Sequence, residues 1–120
     1  MKNLKTYEDI ESWMEDPSNV IRNIMNGYYD KVEEYIKDGN NINITAGHWT
    51  PLSAAAFHGS IGLIELLLDN GADWNIKTEY GRSFFYYLNR NNMVRDEIFY
   101  KYPDVKDDYF REIEVKKYNL

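Results

Sequence analysis

The chain contains no cysteine. That absence excludes a disulfide framework, a thiolate metal site and a cysteine nucleophile, and it suits a reducing compartment, so a cytoplasmic location is expected. Long apolar runs are missing too. A membrane-spanning helix needs about 20 consecutive apolar residues and a secretory signal an apolar run of about 7–15. The opening MKNLKTYEDIESWMED and the rest of the chain supply neither, so no membrane span and no export by that route are expected. Histidine occurs only as His48 and His58, without the HExxH spacing of a zinc-binding helix. The glycines form neither a GxGxxG nor a GxxxxGK phosphate loop. The adjacent acids Glu33–Glu34 and Asp107–Asp108 stand in helical contexts, where neighbouring side chains point in different directions, so they read as solvated faces. No catalytic, cofactor-binding or metal-ligating residue is expected, and the chain reads as non-enzymatic. Positive charge is scarce as well, with 14 basic residues against 20 acids and a net charge of −6. This balance opposes docking on a phosphate backbone and favours a basic protein partner by steering.

What the chain has is aromatic surface and a repeat. Eleven tyrosines, three tryptophans and five phenylalanines are more rings than a thin fold buries, so some are expected on a binding surface. At 120 residues the chain is long enough for one domain and one core. The stretch TPLSAAAFHGSIGLIELLLDNGADWN, from Thr50 to Asn75, has echoes on both sides. Gly27, Gly39 and Asn43 stand 32 residues before Gly59, Gly71 and Asn75, and Ser83 stands 33 after Thr50. A period near 33 residues that opens on TPL and closes on GADxN resembles the ankyrin repeat. The resemblance implies an all-α fold, a solenoid of stacked antiparallel helix pairs joined by hairpin-like loops.

Local signals predict the same units. Thr6 caps an N-terminal capping helix over residues 1–17, and Asp16 and Pro17 end it. Repeat 1 covers 18–45, with Ser18 as cap, Val20, Ile21, Ile24 and Met25 as an apolar stripe, and Gly39 as C-cap after a return helix carrying Val32, Tyr35 and Ile36 inward. Repeat 2 covers 46–77. There Thr50 caps, Pro51 takes the first helical position, and the Leu-rich second helix must be sandwiched between neighbours. Repeat 3, 78–103, is degenerate. Asn92 stands where the turn glycine belongs and tolerates left-handed angles, and Glu97 aligns with Ile64. A C-terminal capping helix over 104–120 turns Val105, Tyr109, Phe110 and Ile113 inward.

Proteins similar to these stacks bind other proteins through hairpin tips and the first helix of each pair. On this chain that implies a partner-binding surface of Ala46, His48, Trp49, Phe57 and His58, continued by Lys77, Glu79, Tyr80, Arg82, Arg90 and Asn91. Two readings of Trp49 stay open, an exposed anchor or a ring packed on the next hairpin, whereas Trp74 reads as packing. The first hairpin loop is one residue shorter than the second, and His48 replaces the usual glycine there, so distortion is expected. The resemblance implies a protein-interaction module that is monomeric when free and needs no cofactor. The narrower expectation is an immunity protein or antitoxin masking a basic toxin or nuclease. Alternatives are a bacterial or viral effector directed at a host protein, or a structural or assembly subunit.

Overall fold

The computed structural model describes residues 17–118, so the N-terminal capping helix expected from Thr6 lies outside the described residues, Pro17 excepted. The described residues form seven helices: α1 Pro17–Met25, α2 Tyr29–Lys37, α3 Pro51–His58, α4 Ile61–Asp69, α5 Phe84–Leu88, α6 Asn92–Lys101 and α7 Pro103–Tyr118. Pro17 is the first residue of α1, a position that needs no N–H donor, so Ser18, expected as the cap, stands inside the helix. Helices α1, α3 and α5 pack side by side in one layer, and α2, α4 and α6 in a second, with α7 laid on α6. The fold is thus the all-α stack of antiparallel helix pairs that the repeat predicts.

The central pair shows why these residues make these elements. Thr50 Oγ1 accepts the Ser53 N–H at 3.0 Å, and Ser53 Oγ accepts the Thr50 N–H at 2.9 Å, so two orphan donors of α3 are satisfied reciprocally. Gly59 ends the helix at φ 82°, a left-handed angle that glycine adopts without a Cβ penalty. Between these stops, Ala54, Ala55 and Ala56 are buried, and their small side chains let α1, α4 and α5 all approach α3. On α4, Leu63, Ile64 and Leu67 are buried while Ile61, Leu66 and Leu68 are partly covered by its neighbours.

The third pair departs from the expected register. Asn91, not a residue after Asn92, caps α6, its Oδ1 accepting the Val94 N–H at 3.2 Å as Ser60 accepts that of Leu63. Asn92 is therefore the first residue of α6 and has no need of left-handed angles. Counted from the caps, Val94 and Ile98 take the places of Leu63 and Leu67, and Arg95, not Glu97, takes that of Ile64. Burial follows this register: Val94 and Ile98 are enclosed, and Arg95 is half-buried with Nη1 3.0 Å from Asn89 Oδ1. From the cap of its first helix to the cap of its second, the third unit is two residues shorter than the central one, because α5 is three residues shorter than α3 and the turn after it one residue longer.

Among the described side chains of α7, Val105 and Tyr109, four residues apart on one stripe, are the buried ones. Phe110 and Ile113, expected to face inward, are 52% and 45% exposed, because α7 rests chiefly on α6 and no other described helix covers its far side. Two hydrogen bonds fasten it: the Tyr109 hydroxyl donates to Asn89 Oδ1 at 2.6 Å, and the Trp74 indole N–H donates to Asp108 Oδ2 at 2.9 Å. Trp74 is thus half-buried packing, as its position before Asn75 implies.

Candidate protein-interaction surface

The loops that carry the expected surface are hairpins of two lengths. In the first, Ala46 and Trp49 exchange backbone hydrogen bonds at 2.8 and 3.1 Å around the two-residue tip Gly47–His48, with Gly47 at φ 62°. In the second, the Thr78 N–H donates to the Arg82 carbonyl at 3.1 Å and the Gly81 N–H to the Thr78 carbonyl at 2.8 Å, around the three-residue tip Glu79–Tyr80–Gly81. Gly81 has φ 75°, the left-handed third position such a loop requires. The missing residue is absorbed at the tip, so the first hairpin closes tightly despite His48. Below the tips, the Asn43 carboxamide accepts the Asp73 N–H at 2.8 Å, joining one loop to the next.

The rings fall into a tip and a floor. At the tip, His48 and Tyr80 stack with centroids 4.1 Å apart and planes 11° from parallel, bracing the short hairpin against the long one. On the floor, half-buried Trp49 lies 5.1 Å from Phe57 and 4.9 Å from Tyr87, so both earlier readings meet in it: one side is packed, the other open. Phe57 meets Tyr87 edge-on at 5.9 Å, and Tyr87 meets Tyr86 at 5.0 Å. Phe57 is 55% exposed, Tyr80 60% and Tyr86 43%, which makes these three the accessible tyrosine and phenylalanine rings of this tip and floor. Arg82 holds its guanidinium 4.6 Å from the Tyr86 centroid, a cation–π distance. A hydrogen bond with Tyr87, then the nearby Tyr86, raises its pKa, so it carries its charge throughout the accessible pH range.

The remaining expected residues lie elsewhere. Ala46 is half-buried in the first hairpin, and Glu79 is exposed at the second tip. His58 ends α3 and sits against the turn at Gly27, where a Cβ would come within 3.2 Å of its Nε2. Asn91 is the cap of α6, and Arg90 beside it is exposed. Both therefore stand with His58 at the turn end of the first helices, opposite the hairpin tips. Lys77 turns toward α7, 3.7 Å from Glu112. Sequence reasoning missed Tyr86 and Tyr87 as members of the aromatic floor. The signal was their spacing: Tyr87 stands 33 residues after Ala54, on the helix that stacks against Trp49 and Phe57.

Among the described residues, no three histidine, aspartate or glutamate side chains gather as a metal site, and no helix is long and apolar enough to cross a membrane. The arrangement offers rings, arginines and a rigid frame, which suit recognition by contact. Residues 35–84 match the family described as ankyrin repeats (many copies). Neither the curated proteins nor the solved structures give a match. That matched span holds the complete central pair, its flanking hairpins and the end of the return helix before it, and over it the chain is similar to ankyrin repeats.

Proposed function

We propose that this chain is a non-enzymatic interaction module that docks a folded protein partner on its hairpin tips and first helices. Ankyrin repeats are in general protein–protein interaction modules, and the observation that supports this face is the exposed set Phe57, Tyr80 and Tyr86, of which Phe57 and Tyr86 rest on the buried Tyr87 and Tyr80 is stacked on His48. Rings fixed before binding lose little entropy when a partner covers them, and aromatic side chains dominate binding hot spots. The absence of cysteine supports a reducing, cytoplasmic setting, and the free chain is taken as a monomer.

The narrower reading, an antitoxin or immunity protein masking a basic toxin, draws on the net charge of −6. It gains nothing from the proposed face, whose own charges are mostly positive. Effector and assembly-subunit readings would use the same surface. The test is a pull-down from the native source with the wild-type chain and with Phe57→Ala/Tyr80→Ala as baits, identified by mass spectrometry. A partner held by the first and lost from the second supports the reading. A partner held equally by both places the docking surface elsewhere. Trp49→Ala is the poorer probe, because it also removes packing between α3 and α5.

A further inference from the structure

Charge is divided between the two layers of the stack. The first helices with their turns and hairpins, residues 17–27, 44–60 and 76–92, contain the four basic residues Arg22, Lys77, Arg82 and Arg90 against the single acid Glu79. The second helices, the loops leading out of them and α7, residues 28–43, 61–75 and 93–120, contain eight basic residues against fourteen acids, and residues 1–16 two against five. The acidic excess of the whole chain is therefore not a property of the first-helix layer.

Distance makes the division matter. Packed helices lie about 8–10 Å apart, comparable to the screening length of about 8 Å at physiological salt. A partner on the first-helix layer responds mainly to that layer's own charges. Arg22, Arg82 and Arg90 are all exposed there, whereas Lys77 shares its charge with Glu112. Arg82 and Arg90 bracket α5 in sequence, with exposed Tyr86 between them on the helix. Tyr86 thus provides an apolar seat beside Arg82, a planar cation that accepts carboxylates two oxygens at a time, and Phe57 adds a second seat on the far side of Tyr87.

We propose that the partner meets this face with an acidic stretch of polypeptide carrying an apolar side chain, its carboxylates on Arg82 and Arg90 and its apolar anchor on Phe57 and Tyr86. This rests on the face being the docking surface. A nucleic acid would also meet the arginines. Its affinity, however, grows with the number of phosphates neutralised, and a face with so few cations on a chain of net −6 neutralises few of them.

The experiment selects binders from a displayed library of random peptides on the full chain, on Arg82→Glu/Arg90→Glu and on Phe57→Ala/Tyr80→Ala, with helicity checked for each. Selected peptides are expected to be acidic with at least one large apolar residue. Their affinity should fall by about tenfold or more in the charge-reversed variant and with rising salt, and also in the aromatic variant. Peptides of neutral or basic composition, or acidic peptides indifferent to charge reversal but lost from the aromatic variant, overturn the inference while leaving the face intact. Peptides retained by both variants overturn the face and the inference together. Tighter binding of a fluorescent oligothymidine than of the selected peptides overturns it in favour of nucleic acid.

Discussion

Within the central pair, α3 is walled in by α1, α4 and α5, and its middle is three alanines. Within the next pair, α5 is flanked by α3 and α6, and the corresponding positions hold Tyr87, Leu88 and Asn89. The difference follows from where burial comes from in a stack. An internal unit is covered by neighbours on both sides and must be thin enough to admit them, so its precision lies in caps and glycine turns. The third unit has a full helix pair on one side and the single helix α7 on the other, and it supplies volume from its own side chains. Phe84, Phe85, Tyr87 and Leu88, all buried, fill the end of the core that a further repeat would otherwise close. Its local signals are correspondingly weaker: Ser83 makes no side-chain cap bond, and the turn into α6 uses no glycine.

Position 55 and position 88, one repeat apart and both fully buried, test this most severely. Leu88→Ala should destabilise by about 2–5 kcal/mol through the cavity it leaves. Ala55→Leu should destabilise by about 1–3 kcal/mol for the opposite reason, since α1 and α5 already touch α3 and leave no room for the added carbons. Urea unfolding measures both. Were Leu88→Ala nearly neutral, the end of the stack would not depend on its own volume. The caps come next. Thr50→Ala removes one half of a buried reciprocal pair and should lower stability by about 1–2 kcal/mol, whereas Ser83→Ala, with no side-chain cap bond to lose, should stay within about 0.5 kcal/mol. The turns sharpen the contrast in the same way. Gly59→Ala forces a side chain into φ 82° and should cost about 1–2 kcal/mol, while Asn92→Ala, at a first helical position, should be nearly silent.

Much of this was legible because the central unit announces itself locally. Thr50–Pro51 starts a helix, Gly59 turns it, Gly71 ends the next, and the 32-residue echo of Gly39 and Asn43 places the pair before it. The third pair was harder to read because its register is set by caps, and caps of the same function had changed type: Ser60 became Asn91. A fixed offset of 33 therefore carried Asn92 into a turn it does not make and Glu97 into a slot that Arg95 fills. Phe110 and Ile113 were misplaced for a different reason. Apolar spacing on α7 records a face but not how much of it a neighbour covers. Of the surface, the hairpin residues were legible from the repeat, while the roles of Tyr86 and Tyr87 emerge only when α5 is laid against Trp49 and Phe57. The division of charge between layers could not be read from net charge, which sums over both.

The seam between the stack and its final helices should show itself in pH rather than in large energies. Asp108 on α7 has its pKa lowered, chiefly by the Trp74 indole N–H and further by Arg111. The folded state thus holds this proton less tightly than the unfolded one, so the contribution is present above the ordinary aspartate range near 4 and is lost as pH falls through the lower folded value. Tyr102, which donates to Asp69 Oδ1 at 2.6 Å, is shifted the other way: burial, then that hydrogen bond, raise its pKa. Its contribution is complete below the ordinary tyrosine range near 10 and is lost as pH rises beyond it. The two limbs separate two attachments, α7 to the loop after α4, and the end of α6 to the end of α4. Trp74 emission, taken as the difference between the wild type and Trp74→Phe, should shift on the acid side, and Asp108→Asn should abolish that shift while leaving the alkaline limb in place. Tyr102→Phe should weaken the alkaline limb, to which the raised pKa of half-buried Tyr35 also contributes, and spare the acid one. If both substitutions altered both limbs together, the terminal pair and α7 would respond as one cooperative unit with the central pair, and the contrast between a self-filled end and a neighbour-covered middle would not extend to how they open.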